Sequence, residues 1–179
     1  SLRETMSSLR EQSKLFGCSI TVQNHNMEAV LGDSFVSEME TAGCHGMIYV
    51  EYVPIDQSSE SLAPGPKERK YIARRVDALR AAHPDIIIIS FPGDEQAAGG
   101  CLAAGRGFFH INAYGGAEPC PFSAHSDCSL KNMSLKEAMH SPLFTKLRTS
   151  GVLEEPHVGS CTLFLQDAKV KVLEKGENV

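Results

Sequence analysis

The sequence has no apolar run of the roughly 18 residues that a membrane-spanning helix needs, and its longest candidate is DIIIIS at 85–90. No membrane contact is expected on that ground. No export signal is expected either, because the first residues carry Arg3, Glu4, Arg10 and Glu11 and read as a charged amphipathic helix. Cysteine is sparse for a disulfide scaffold: six among 179 residues, well under the roughly 8–10% that marks one. The expected setting is a reducing, cytoplasmic one, where clustered thiols point to metal or redox chemistry. There is no excess of positive charge either, with 17 basic against 22 acidic residues and a net charge of −5. The densest basic group, Lys67, Arg69, Lys70, Arg74 and Arg75, fits the solvated face of one helix. Nucleic acid is therefore not the expected partner. Internal repeats and low-complexity tracts are lacking too. What is there is 42% hydrophobic and 22% charged, enough for one good core or two small ones and too apolar for a disordered chain.

Residues 1–91 alternate helix and strand three times. Leu2, Met6, Leu9 and Phe16 share a helical face, and Gly17 is expected to stop that helix before a strand, CSITV at 18–22. Asp33 suits the N-cap of a helix carrying Phe35, Val36 and Met39, which ends at Gly43 before a second strand at 46–53. A loop rich in Pro, Ser and Gly at 54–66 leads into Pro66, which opens a third helix with Ile72, Val76 and Leu79 on its inner face. His83 and Pro84 close that helix, and 86–91 is the third strand. Such alternation indicates βαβ units with parallel strands, and the apolar run at 86–89 is what a strand buried on both sides shows. Yet the pattern opens with a helix, and three strands are few for a closed α/β domain. The expected fold is α/β: a partial (β/α) barrel of three parallel strands with helices, its open edge covered by another copy or another polypeptide.

After Gly93 the composition changes, with seven glycines between 93 and 116. A boundary is expected near 92–98, giving a half barrel over 1–97, a small α+β domain over 98–166 and a polar tail over 167–179. Residues 108–112 and 117–122 flank a glycine-bearing turn and read as a β-hairpin whose second strand, with Pro119 and Pro121, is an edge. SLKE at 134–137 is a capping box, Ser141 and Pro142 restart a helix through Leu147, and CTLFL at 161–165 reads as extended.

Cys101 precedes that hairpin, Cys120 lies on its returning strand, Cys128 follows, and Cys161 sits near the end. An antiparallel hairpin and a returning tail can gather such thiols into a pocket. Thiolates are ligands that iron–sulfur clusters and zinc both accept, and glycine-rich backbone can donate N–H groups to cluster sulfur. The competing reading is that of small buried hydrophobes, which fits Cys18 and Cys44 best.

GGCLAAGRGFFHIN at 99–112, GGAEPCPF at 115–122 and SLKEAMHSPLF at 134–144 together resemble the C-terminal part of radical SAM proteins with a SPASM or shorter twitch extension. In that family a pattern of Cys, 9 to 15 residues, Gly, four residues and Cys marks an auxiliary cluster; here 13 residues separate Cys101 from Gly115 and four separate Gly115 from Cys120. TVQNHN at 21–26 and MIYVEYVP at 47–54 resemble later strands of the family's partial barrel. The family's Cys-x3-Cys-x2-Cys triplet is missing, so the resemblance implies the C-terminal portion of a longer enzyme whose N-terminal half barrel is not included.

The resemblance implies an oxidoreductase part that binds an auxiliary [4Fe-4S] cluster through Cys101, Cys120 and Cys161, with Cys128 as a possible fourth ligand. S-adenosyl-L-methionine and a second [4Fe-4S] cluster would belong only to the full-length enzyme, acting on a peptide or small-molecule substrate that the sequence does not identify. Gln23, Asn24 and Asn26, at the end of a parallel strand, are candidate cofactor contacts, against the alternative of a strand-capping turn. Glu51 or Tyr52 is expected to face the barrel. His110 reads as a hairpin side chain, and His125 is the better histidine ligand. Two rival readings stand beside it: a zinc-stabilised interaction module built from Cys101, Cys120, Cys128 or His125, and Cys161, weakened by the lack of Cys-x2-Cys knuckles, and a metal-free half barrel that dimerises through its open edge.

Overall fold

The structure is a computed structural model that describes residues 1–155 and 161–177. The chain divides into two compact units, Ser1–Asp94 and Glu95–Val179.

In the first unit, helix α1 (Leu2–Glu11) opens on a capping box in which Ser1 and Glu4 satisfy each other's backbone N–H groups. It ends earlier than its apolar periodicity suggested. Ser13 takes a positive φ of 52° and reverses the chain, so Phe16 leaves the helix and Gly17 becomes the first strand residue instead of the helix stop. Strand β1 (Gly17–Val22) is followed by a short helix α2 (Met27–Val30) and by α3 (Asp33–Thr41), whose N-cap is Gly32, with Asp33 the first helical residue. Strand β2 (Gly46–Glu51) leads through a 3₁₀ segment, Gln57–Leu62, to α4 (Pro66–Ala82), which starts on proline as its missing N–H allows. Strand β3 (Ile87–Phe91) completes a parallel sheet in the order β1-β2-β3.

Register fixes the two faces of this sheet. Cys18, Met47 and Ile88 lie in one row and Ile20, Tyr49 and Ser90 in the next, while Ser19, Ile48 and Ile89 share a row on the opposite face. Val22, Met47, Tyr49 and Ile88 join Met6, Leu31, Val36, Ile72, Val76 and Leu79 in one core, so α1, α3 and α4 all pack on the same side. Tyr49 is fully buried there, and its hydroxyl donates to Val30 O at 2.8 Å. The expectation of a third strand buried on both faces is corrected: Ile87 is 67% exposed, and only Ile88 and Ser90, on the helical side, are buried.

The second unit is built from short elements. Strands β4 (His110–Ile111) and β5 (Ala117–Glu118) pair antiparallel, far shorter than the two strands read from sequence. Then come α5 (Leu135–Ala138), with the expected Ser134–Glu137 capping box, and α6 (Pro142–Thr149), capped by Ser141. A 3₁₀ turn, Val152–Glu154, precedes α7 (Thr162–Leu165) and α8 (Asp167–Glu174). Two expectations fail here. CTLFL is helical from Thr162 onwards, not extended, and the tail expected to be polar over 167–179 contains α8, with Val170 and Leu173 buried in the core around Phe144 and Leu147. Residues 178 and 179 of that tail lie outside the described residues.

Candidate functional site

Main-chain geometry sets the positions of the four second-unit cysteines. Gly100, at φ 105°, lets the chain press against the 3₁₀ turn, where a Cβ would collide with Leu153 O. The Cys101 N–H then donates to Leu153 O at 2.7 Å. Its thiol is buried, donates to the Glu95 carboxylate and accepts from the Ala103 N–H; burial first and the nearby Glu95 charge second push it up to about 12. Cys120 follows β5 and is 2% exposed. Its Sγ accepts the Phe122 N–H at 3.3 Å and lies 4.0 Å from the Sγ of Cys161. Cys161 precedes the first residue of α7 and accepts the backbone N–H groups of Leu163 and Phe164. Cys128 is half-buried at the rim of the core, with Asp127 and Ser141 as its partners, and burial is the main cause that raises it.

Two sulfurs therefore meet, and the ligand set stops there. Among the described residues no group of three His, Cys, Asp or Glu side chains can hold a metal ion. An iron–sulfur cluster needs several thiolates converging on one centre. Cys101 is turned to Glu95, and Cys128 to Asp127 and Ser141, so the donor set does not fit. This corrects the auxiliary [4Fe-4S] cluster, the radical SAM and SPASM/twitch reading that implied it, and the S-adenosyl-L-methionine chemistry attached to it. It corrects the zinc module for the same reason. His125, the histidine alternative, has both ring nitrogens taken: Nδ1 lies 2.9 Å from Glu174 Oε2 and Nε2 lies 2.8 Å from Asp167 Oδ1. His110 is a half-exposed hairpin side chain 3.9 Å from Glu118.

The candidate cofactor contacts after β1 bond to their own chain. Asn26 accepts the Gln23 N–H at 2.8 Å and donates to Thr21 O at 2.9 Å, which closes the turn. Asn24 donates to Ser61 O at 2.8 Å and to Ala63 O at 2.9 Å, fastening the end of β1 to the 3₁₀ segment; its Oδ1 is buried without a partner. Glu51 points to the helical side of the sheet and pairs with Arg69 Nε at 2.8 Å, where only 6% of its side chain is exposed.

Sequence reading missed the His125 clasp because it needs α8, and α8 was read as tail. The signal was present: Val170 and Leu173 lie three residues apart, with Lys171 between them and Lys169 and Glu174 on either side.

The feature that stays open is the second face of the parallel sheet. Leu15, Gly17, Gly46, Ile48, Ile87 and Ile89 line an apolar depression of about 530 Å³ at the starting ends of the strands. No helix of the first unit lies on this face among the described residues. None of the described helices is long and apolar enough to cross a membrane. Comparison with protein-family models finds no family that matches the chain, and comparison with curated proteins finds no match.

Proposed function

We propose that this protein is a metal-free half barrel that associates with a second copy of itself through the uncovered face of its parallel sheet. The observation that carries the reading is the apolar face formed by the exposed Ile48 and Ile87 and the half-buried Ile89, opposite the side that holds all four helices. Parallel sheets are found with both faces covered, because their crossovers leave apolar strands that water does not tolerate. Among the described residues the outer edge of β1 has no strand beside it, whereas that of β3 is closed by Arg80, which donates to Ile88 O, and by Asp94, which accepts the Ser90 N–H.

A second copy fits better than an unrelated partner because the face is graded in size. β1 contributes the small Gly17 and Ser19, β2 the intermediate Gly46 and Ile48, and β3 the large Ile87 and Ile89. A two-fold axis along β2 sets the large side chains of one copy over the small ones of the other, which is the self-complementarity that an isologous dimer requires.

The reading is tested by light scattering on the purified chain. The expected mass is twice 19.4 kDa. Ile87→Glu, at a position already in solvent, is expected to give the monomer with unchanged circular dichroism. A wild-type chain that stays monomeric at the highest soluble concentration overturns the proposal, as does a dimer indifferent to Ile87→Glu and Ile48→Lys together.

A further inference from the structure

We infer that Cys120 and Cys161 form a reversible disulfide by exchange with a low-molecular-weight disulfide such as oxidised glutathione, which makes the junction between hairpin and α7 a redox-responsive site. The inference starts from placement. The two residues are 41 positions apart, yet the turn after β5 and the start of α7 bring their sulfurs to 4.0 Å. A disulfide is about 2.05 Å long, so closure needs an approach of about 2 Å, within the reach of side-chain rotation. Neither thiol is already engaged in a disulfide.

The surroundings divide the roles. Cys161 is partly exposed, and Cys120 is buried behind it. The hydrogen bond from Cys120, together with the N–H groups of Phe164 and Leu163, favours the Cys161 thiolate against the opposing effect of burial. Cys120 is the proton-holding member of the pair: its bond to Cys161 and its burial both push it up. An accessible thiolate with a protonated thiol beside it is the arrangement of an attacking and a resolving cysteine. Cys101 is the third thiol near this pair, and its proton is bonded to Glu95.

The reaction balances in two steps. The Cys161 thiolate attacks one sulfur of the glutathione disulfide; the Cys161–glutathione S–S bond forms, the original S–S bond breaks, and one glutathione thiolate leaves. Cys120 then attacks Cys161 Sγ, displaces the second glutathione thiolate and gives up its proton to it. The protein is oxidised by two electrons, and the disulfide is reduced to one glutathione thiol and one glutathione thiolate, which takes its proton from solvent. Dithiothreitol runs the sequence backwards.

The test treats the reduced full chain with oxidised glutathione, quenches with an alkylating agent and maps peptides by mass. Wild type is expected to lose two thiols, retain no glutathione and yield a linked pair of peptides carrying Cys120 and Cys161. Cys120→Ser is expected to trap glutathione on Cys161, and Cys161→Ser to leave Cys120 unmodified. Cys101→Ser, which removes the neighbour without touching the pair, is expected to form the disulfide at the wild-type rate within about twofold. Persistent glutathione on wild-type Cys161, a link that uses Cys101 in place of Cys120, or two thiols that survive unmodified would each overturn the inference. Circular dichroism of the variants distinguishes a failed exchange from a failed fold.

Discussion

His125 stands between two carboxylates, and the consequence is a stability that depends on pH. Burial opposes its charge, but the hydrogen bonds and charges of Glu174 and Asp167 together outweigh that opposition and raise it above the ordinary value of 6.5. A histidine whose folded affinity for a proton exceeds its unfolded one contributes stability that is fully present below 6.5 and is lost as pH rises through the folded value. Unfolding free energy, measured by urea denaturation from about pH 5 to about pH 9, is therefore expected to fall across that window. His125→Gln is expected to flatten the fall. Glu174 also accepts the Ser126 N–H at 3.0 Å, so the carboxylate retains a structural task when the ring is neutral. Glu51 shows another side of residue-scale placement. Strand alternation allowed it either face, and its pairing with Arg69 at 2.8 Å shows that a crossover helix two elements away decides which one.

Helix α8 is where an element overturns the reading of its own residues. It has eight residues and no side-chain hydrogen bond at its N-cap, so local propensity does not hold it; packing against the core does. Leu173→Ala is expected to cost about 2–4 kcal/mol through the cavity it leaves, while Lys171→Ala, at an exposed position, should stay within about 0.5 kcal/mol. Urea unfolding checks both, and equal effects would mean that α8 is not part of the core. Elements with strong local signals were readable from the residues: Pro66 and its apolar spacing for α4, Ser134 with Glu137 for α5, and Ser141 with Pro142 for α6. The parallel strands were also readable, because βαβ alternation is a pattern of order as well as of composition. The cysteine centre was not. Spacing along the chain says that thiols can approach, but Cys101 turns to Glu95, and Cys128 turns to Asp127 and Ser141, through partners that no spacing rule names.

At the scale of the molecule there are, among the described residues, two cores with no buried residue common to both. Met6, Met47, Tyr49 and Leu79 belong to one; Phe144, Leu147, Leu163 and Val170 belong to the other. Leu79→Ala is therefore expected to lower hydrogen-exchange protection within residues 1–94, and Leu147→Ala within residues 95–177. Loss of protection in both units from either substitution would show that they open together. The order of the strands in the first unit bears on how it is made. Because β1, β2 and β3 lie side by side in the sequence in which they leave the ribosome, each newly synthesised strand can dock on the margin left by its predecessor. No earlier pair has to separate to admit a later one, so the nascent sheet can grow in a single direction while translation continues.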